Sequence, residues 1–539
     1  MINSSEIFTE APEKKYLKNV PYEYRKKSGQ FFTPMYIADF MTEWVISNES
    51  SNTILDPALG LGIFFRSIIK NHPIELEKFK FVGYEIDAKM IAIVKNIFSN
   101  VQGINIQILN KDYLIEDWDK KYDGIVCNPP YLKFHDYEPK DILLNIFNAR
   151  LGMKLSGFTN IYTLFILKSI WRLNTGGRAA YIVPSEFLNS DYGKKVKKYI
   201  KKSGTLRFII VIDFNLGVFE DATTTSSILL FANDKHNEEV EFINVKKIED
   251  FKLIQNYILS YPLTRKKGRV VKIKELDEAR KWRIYYQELN GNKYKNLVLF
   301  SKYARISRGI ATGANNYFMF SESKRMNYGV KMQFLLPCLA KAPYARRHFF
   351  TNEDFEQLKK ADKPVYLLNA TDLTNENLRK YIELGEQKGI HKRYLTSHRT
   401  PWYSLENRPP APILVTVFNR TGLRFVRNEA GVYNLTAYHC VYVNPDIMPR
   451  MNLLMAYLIT DVAKEIFEDS RREYGDGLMK FEPNDLNNAF VVDLEKIDKE
   501  KEEGILKLFY EFREMEINGK NTDKVKNKLN EIFLDIFRK

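Results

Sequence analysis

The residues with the strongest chemical signature are Asn128-Pro129-Pro130-Tyr131, which directly follow an apolar run ending at Cys127. The Asn128 side-chain oxygen and the Pro129 carbonyl are two acceptors on one short loop, and the prolines stiffen it so that both converge. Such a pair suits an amine whose lone pair is delocalised into a ring. Accepting both hydrogens draws the lone pair out of conjugation and toward an electrophile. Neither a cysteine nucleophile nor a metal is required where the electrophile carries its own leaving group. Tyr131 adds a ring for stacking on a flat substrate, and Phe219 in Asn215-Leu216-Gly217-Val218-Phe219 is the candidate for a second ring. The plain alternatives are a proline turn at 128–131 and a core residue at Phe219.

Three further groups lie at the ends of successive apolar runs. Asp56-Pro57-Ala58-Leu59-Gly60-Leu61-Gly62 places an acid at a strand end, and Gly60 and Gly62 let the backbone approach a ligand. Glu85 follows Gly62 by 23 residues (85 − 62), near the spacing at which an acid meets a ribose diol. Asn110-Lys111-Asp112-Tyr113 offers a carboxylate for an adenine amino group, with an aromatic ring beside it. Together these form an adenosine site, whereas any one alone is compatible with helix capping. A nicotinamide dinucleotide fits poorly, because Ile63-Phe64-Phe65 follows Gly62 where a third glycine is needed beside pyrophosphate. S-adenosylmethionine has no phosphate and tolerates that difference.

Positioning these groups requires alternating strands and helices. Apolar runs predict strands over 53–55, 79–84, 105–109, 122–127, 178–183, 207–213 and 226–232. Amphipathic stretches predict helices over 36–47, 63–71, 88–99, 161–173 and 192–202. This is the α/β doubly wound pattern, with ligands at the carboxyl ends of parallel strands. The charged segment 233–250 is the expected boundary, and beyond it the pattern is irregular. Residues 496–539 carry Leu506, Leu508, Phe509, Phe512, Leu529, Phe533 and Phe537 on one face, as in an amphipathic helical pair packed on the body.

The net charge of +15 is concentrated. Residues 1–250 hold 32 Lys/Arg against 31 Asp/Glu, 251–350 hold 21 against 5, and 351–539 hold 29 against 31. The middle stretch suits a polyanion. Aromatics are mixed with its cations in Lys281-Trp282-Arg283 and Tyr344-Ala345-Arg346-Arg347-His348-Phe349-Phe350, as phosphate contact with base or sugar packing would want. Cys127, Cys338 and Cys440 are far apart, which argues against a disulfide framework or a zinc site. No apolar run reaches the roughly 18 residues of a membrane span, and the first residues lack signal-peptide character, so a cytoplasmic protein without membrane association is expected.

The motif order resembles the gamma subclass of DNA amino-methyltransferases, the TaqI-type adenine enzymes of restriction-modification systems. Gly29-Gln30-Phe31-Phe32-Thr33-Pro34 precedes the glycine loop as in that family, and further matches are Asn160-Ile161-Tyr162, Gly176-Gly177-Arg178 and Val183-Pro184-Ser185. The resemblance covers about residues 25–232. It implies a Rossmann-like class I methyltransferase sheet with a C-terminal mixed α+β target recognition domain. The cofactor would be S-adenosylmethionine, with Thr33 and Asp56 near its methionine part, Glu85 on its ribose, and Asp112 and Tyr113 at its adenine. Phe219 falls where the family keeps its base-stacking aromatic. Ser307-Arg308-Gly309-Ile310-Ala311-Thr312-Gly313 and the stretch 475–483 are similar to sequences in family recognition domains. One departure is the absence of the common small polar residue before Gly60.

The expected division is 1–245 for the catalytic domain, 246–495 for DNA recognition and 496–539 for the helical segment. The expected substrate is adenine flipped out of double-stranded DNA, bound by a monomer, with Arg308, Lys341, Arg346 and Arg347 as DNA-contacting cations. A separate cognate restriction endonuclease is compatible with the chain, and a fused one has no obvious room. RNA or protein-glutamine methylation uses the same loop. Some 290 residues after the catalytic fold, the first hundred strongly basic, argue against glutamine. Methyl transfer to duplex DNA against structured RNA separates the nucleic acids. A protein that binds without turnover is disfavoured because each group the reaction needs is present.

Overall fold

In this computed structural model the described residues are 6–539 except 49–50, 100, 133–136, 138–139, 154, 156–159, 190–192, 213–224, 237, 263–266, 288, 372, 407, 420–422 and 474–478. The chain divides into two units, Met1–Gln287 and Glu288–Lys539.

Seven apolar runs of the first unit become strands β1 (Thr53–Asp56), β2 (Lys80–Glu85), β3 (Asn105–Asn110), β4 (Tyr122–Cys127), β5 (Leu173–Pro184), β6 (Leu206–Ile212) and β7 (Ser226–Ala232). With β8 (Glu239–Val245) and β9 (Arg269–Lys272) they form one sheet in the order β3-β2-β1-β4-β5-β7-β6-β8-β9. Strands β6 and β7 are buried along their whole length, as continuous apolar runs must be when both faces are covered. Edge strand β3 is half-exposed and alternates polar and apolar residues.

The helices are α1 (Ala11–Asn19), α2 (Tyr22–Lys27), α3 (Met35–Ile46), α4 (Ile63–Asn71), α5 (Ala88–Phe98), α6 (Lys140–Leu151), α7 (Ile161–Arg172), α8 (Glu186–Asn189), α9 (Gly193–Ser203) and α10 (Asp250–Leu259). The period of two along β1 divides the core. Ile54 belongs to the cluster that holds Trp44 of α3, Phe64 of α4 and Phe251 of α10, while Leu55 belongs to the one that holds Leu143 of α6, Phe165 of α7 and Val196 of α9. Strand β1 pairs in parallel with both β2 and β4. The chain therefore runs outward from β1 to β3 and returns to the other side of β1, which opens a crevice at the carboxyl ends of β1 and β4.

The first unit ends later than the expected boundary at 245. Strand β8 lies beside β6, β9 closes the edge against β8, and Trp282 is fully buried near Phe242. The charge of 233–250 hides this strand because one of its acids is internal. Glu241 is buried and accepts hydrogen bonds from the Tyr257 hydroxyl (2.5 Å), Lys267 N (2.7 Å) and Gly268 N.

The second unit is mixed α and β. Its largest sheet runs Ala304–Arg308, Tyr438–Val443, Ile413–Thr416, Phe425–Asn428 and Phe349–Phe350. A four-stranded sheet joins Met319–Phe320, Tyr366–Leu368, Leu335–Leu339 and Tyr433–Asn434. Helices Lys499–Ile517 and Asp523–Phe537 bury Phe509, Phe512, Leu529 and Phe533 in the same core as Val415 and Val441. The C-terminal helical pair is thus part of this unit. Among the described residues no helix is long and apolar enough to cross a membrane.

Candidate active site

The four strand ends that the sequence singled out converge on one cavity of about 480 Å³, to which Thr33, Asp56, Gly60, Glu85, Asp112, Tyr113, Asn128 and Pro130 all contribute. Asp56 closes β1 and is wholly buried. Its Oδ1 accepts from Ala58 N (3.0 Å), and its Oδ2 has no partner. Burial pushes its carboxyl up to about 8, so it carries a proton at neutral pH.

Glu85 closes β2. Ile86 N and Asp87 N each donate to its Oε1 at 2.9 Å, and Gly60 N donates to its Oε2 at 3.0 Å. The glycine loop is therefore tied to the β2 carboxylate. Burial raises the Glu85 carboxyl against these three donors. Gly60 and Gly62 have φ of +53° and +72°, the left-handed region that glycine favours. Gly62 answers to the fold, because a Cβ there would lie 2.6 Å from the Phe98 ring of α5. Only Gly60 of the pair borders the cavity.

After β3, Asp112 accepts from Leu114 N (2.8 Å) through Oδ1 and from the Tyr137 hydroxyl through Oδ2. Tyr113 is 2% exposed, its ring stacks on Phe165 (5.4 Å, 29°) and its hydroxyl meets Ser169 Oγ at 2.6 Å. It is thus held in the core, and it borders the cavity beside Asp112.

After β4, Asn128 is held through its nitrogen. Nδ2 donates to the Phe31 carbonyl (2.8 Å) and to Thr33 Oγ1 (3.0 Å), which uses both amide hydrogens and fixes the flip. The opposite atom, Oδ1, is buried and has no hydrogen-bond partner. Gly29 joins the same arrangement, since its carbonyl accepts from Tyr131 N (3.2 Å) and a Cβ on it would sit 2.8 Å from that nitrogen. Thr33 thus acts on Asn128. Tyr131 stacks on Phe31 (5.2 Å, 28°) and does not border the cavity. Phe219 lies outside the described residues.

Sequence reasoning missed the N-terminal wall. Tyr24 donates to Asp87 Oδ2 (3.2 Å), Gln30 Nε2 approaches the same oxygen (3.4 Å), and all three border the cavity. Gln30 lies inside the motif 29–34 quoted above and Asp87 two residues after Glu85, which was the available signal.

Of the DNA-contacting candidates in the second unit, Arg308, Lys341 and Arg346 are exposed, Arg308 lying 3.9 Å from Glu482. Arg347 is half-buried, its guanidinium pairing with Asp354 and donating to the Ile517 carbonyl (2.8 Å). Of the aromatics quoted in the basic stretch, Trp282, Phe349 and Phe350 are at most 1% exposed, while Tyr344 is half-buried.

Residues 3–298 match the family described as N-6 DNA Methylase, and residues 283–534 match the Type II methyltransferase M.Eco57I C-terminal domain. The chain is 49% identical over 538 residues to Type II methyltransferase M.AccI of Acinetobacter calcoaceticus, covering 99% of this chain and 98% of that one. It is 24% identical over 483 residues to Type II methyltransferase M.XamI of Xanthomonas campestris pv. amaranthicola, covering 87% and 86%. A nuclease-deletion mutant of the Type ISP restriction-modification enzyme LlaGI in complex with a DNA substrate mimic shares the fold, with TM-score 0.51, 14% identity, and 90% and 55% coverage.

Proposed function

Because the chain belongs to the N-6 DNA methylase family, we infer that it transfers a methyl group to the 6-amino nitrogen of adenine in duplex DNA, as the modification enzyme of a Type II restriction-modification system. The observation that carries the reading is the unpartnered Asn128 Oδ1, fixed at the end of β4 beside the cavity. A buried acceptor left unmet costs about 1–3 kcal/mol, and an amino group supplies what it lacks.

S-adenosylmethionine, when bound, supplies a methyl group already attached to a sulfonium leaving group. Asp56, Gly60, Glu85 and Asp112 would hold it, and the donor set fits: a buried carboxyl with an idle oxygen, and two acids at successive strand ends. Asn128 Oδ1 and the Pro129 carbonyl accept the two amino hydrogens, which localises the nitrogen lone pair for attack. After transfer the nitrogen is at its most acidic, and its extra proton passes to solvent water. Phe31 and Thr33 keep the Asn128 amide from turning. Because Asn128 Oδ1 is buried, an adenine within a duplex has to leave the stack to reach it. Tyr131 and Phe219 are the rings proposed to receive that base, and a monomer is the proposed unit on DNA.

Radiolabelled methyl transfer to duplex DNA, with structured RNA of equal length as competitor, tests the reading. Asn128→Ala should lower kcat by roughly 10²–10³ or more while calorimetry finds S-adenosylmethionine affinity nearly unchanged. A variant as fast as wild type, or a preference for RNA, would overturn it.

A further inference from the structure

The second unit carries a cationic and aromatic surface that segment charge conceals. A cavity of about 640 Å³ opens there, with Lys324, Lys388 and Arg393 as its charged lining and no acidic side chain among them. Lys324 is the inner one. Its Nζ donates to the carbonyls of Asn316 (2.8 Å), Tyr317 (2.8 Å) and Met319 (2.7 Å) and lies 4.2 Å from the Phe320 ring centroid. All three hydrogens are used, so Lys324 contributes a fixed charge and no further donor. Burial, and then the Lys388 ammonium, push it down to about 8. Three cations thus border one cavity with no acidic side chain in its lining.

The wall is stiff. Tyr317 and Tyr381 stack at 4.8 Å and exchange hydroxyl-to-carbonyl bonds of 2.9 and 2.7 Å. Gly313, at φ +75°, leaves no room for a Cβ, which would meet Leu395 Cβ at 2.9 Å. Arg399 donates to the carbonyls of Thr312 (3.3 Å) and Ala311. Segment 390–399 is therefore clamped to the 311–313 loop, and it presents Tyr394 at 80% exposure with its ring 4.8 Å from His398. Residues 388–399 hold four Lys/Arg and no Asp/Glu. A single exposed tyrosine is ordinary, but a ring on a rigid cationic turn beside an unneutralised cavity has the chemistry that binds nucleic acid.

We propose that this face docks duplex DNA, with a backbone phosphate between Lys388 and Arg393 and the Tyr394 ring against the adjoining sugars or bases, making Tyr394 a contributor to sequence choice. The proposal rests on the reading of the chain as a DNA methyltransferase. A phosphate there relieves the repulsion between Lys324 and Lys388, and the ring adds the contact that phosphates cannot supply.

The test uses the full chain and a mixed-sequence duplex, with binding followed by fluorescence anisotropy over a range of KCl. Each phosphate contact contributes about 0.9 to the slope of log affinity against log salt, so Lys388→Ala with Arg393→Ala should lower it by about 1.8. Lys388→Arg with Arg393→Lys should keep the wild-type slope, as should Lys499→Ala with Lys507→Ala on the helix Lys499–Ile517. Tyr394→Ala should leave the slope intact, reduce kcat/KM on the methylated sequence roughly tenfold, and broaden the motif found by single-molecule sequencing of DNA from expressing cells. An unchanged slope in the first variant, or an equal loss in the Lys499/Lys507 variant, overturns the phosphate site. An unchanged motif and rate overturn the role of Tyr394. A wild-type chain that methylates no DNA would instead sink the underlying reading.

Discussion

Asn128 is a side chain with one half tied and the other half waiting, and the tie is as testable as the waiting atom. Removing the Thr33 hydroxyl leaves the Phe31 carbonyl as the remaining acceptor for Nδ2. Thr33→Val should therefore lower kcat about tenfold, on the scale of about one hydrogen bond, with little change in cofactor affinity. An unchanged kcat would show that Phe31 suffices. Asp56 gives a pH prediction. Its carboxyl sits near 8 in the ligand-free protein because it is buried, and a cationic ligand beside it would favour the ionised form. S-adenosylmethionine affinity should rise with pH up to about 8 and then level off, with proton release in calorimetry that Asp56→Asn abolishes. Heats independent of buffer would refute this. Since the folded value exceeds the unfolded one, Asp56 stabilises the ligand-free protein at low pH, and that contribution fades between about pH 4 and 8. The acids and Asn128 were legible because strand ends fix where a residue sits. The surroundings of Tyr113 and Arg347 were not legible, because an aromatic after a strand, or an arginine in a basic run, looks the same whether it faces a ligand or the interior.

At the scale of elements, the strands through 232 and helices α3, α4, α5, α7 and α9 were readable because apolar runs covered by helices leave a strong periodic signal, whereas α1, α2, α6 and α8 were not expected. Strand β8 was missed as well, because the buried Glu241 imitates solvent-facing charge. Gly62 shows how a motif glycine can serve packing. Gly62→Ala combines a positive φ with a contact on Phe98, and should cost roughly 2–4 kcal/mol. Chemical denaturation should report that loss, and the double variant with Phe98→Ala should recover its steric part relative to Phe98→Ala alone. If Gly62→Ala weakens cofactor binding without lowering stability, the glycine serves the ligand after all.

Across the whole molecule, the positive excess of 251–350 spans the division after Gln287, so it does not mark one surface of one unit. The fragment 1–287 should melt cooperatively and bind S-adenosylmethionine. The fragment 1–245 should not, because it lacks β9 and leaves the Phe242 side of β8 without Trp282. Equal stability of the two fragments would return the boundary to the charged segment. The outermost strand of the catalytic sheet is thus drawn from chain that leads directly into the second unit. Anyone grafting the recognition half of one relative onto the methylating half of another inherits that seam. Joined after Gln287, each parent keeps a finished sheet, whereas a splice at 245 would ask a foreign sequence to complete it.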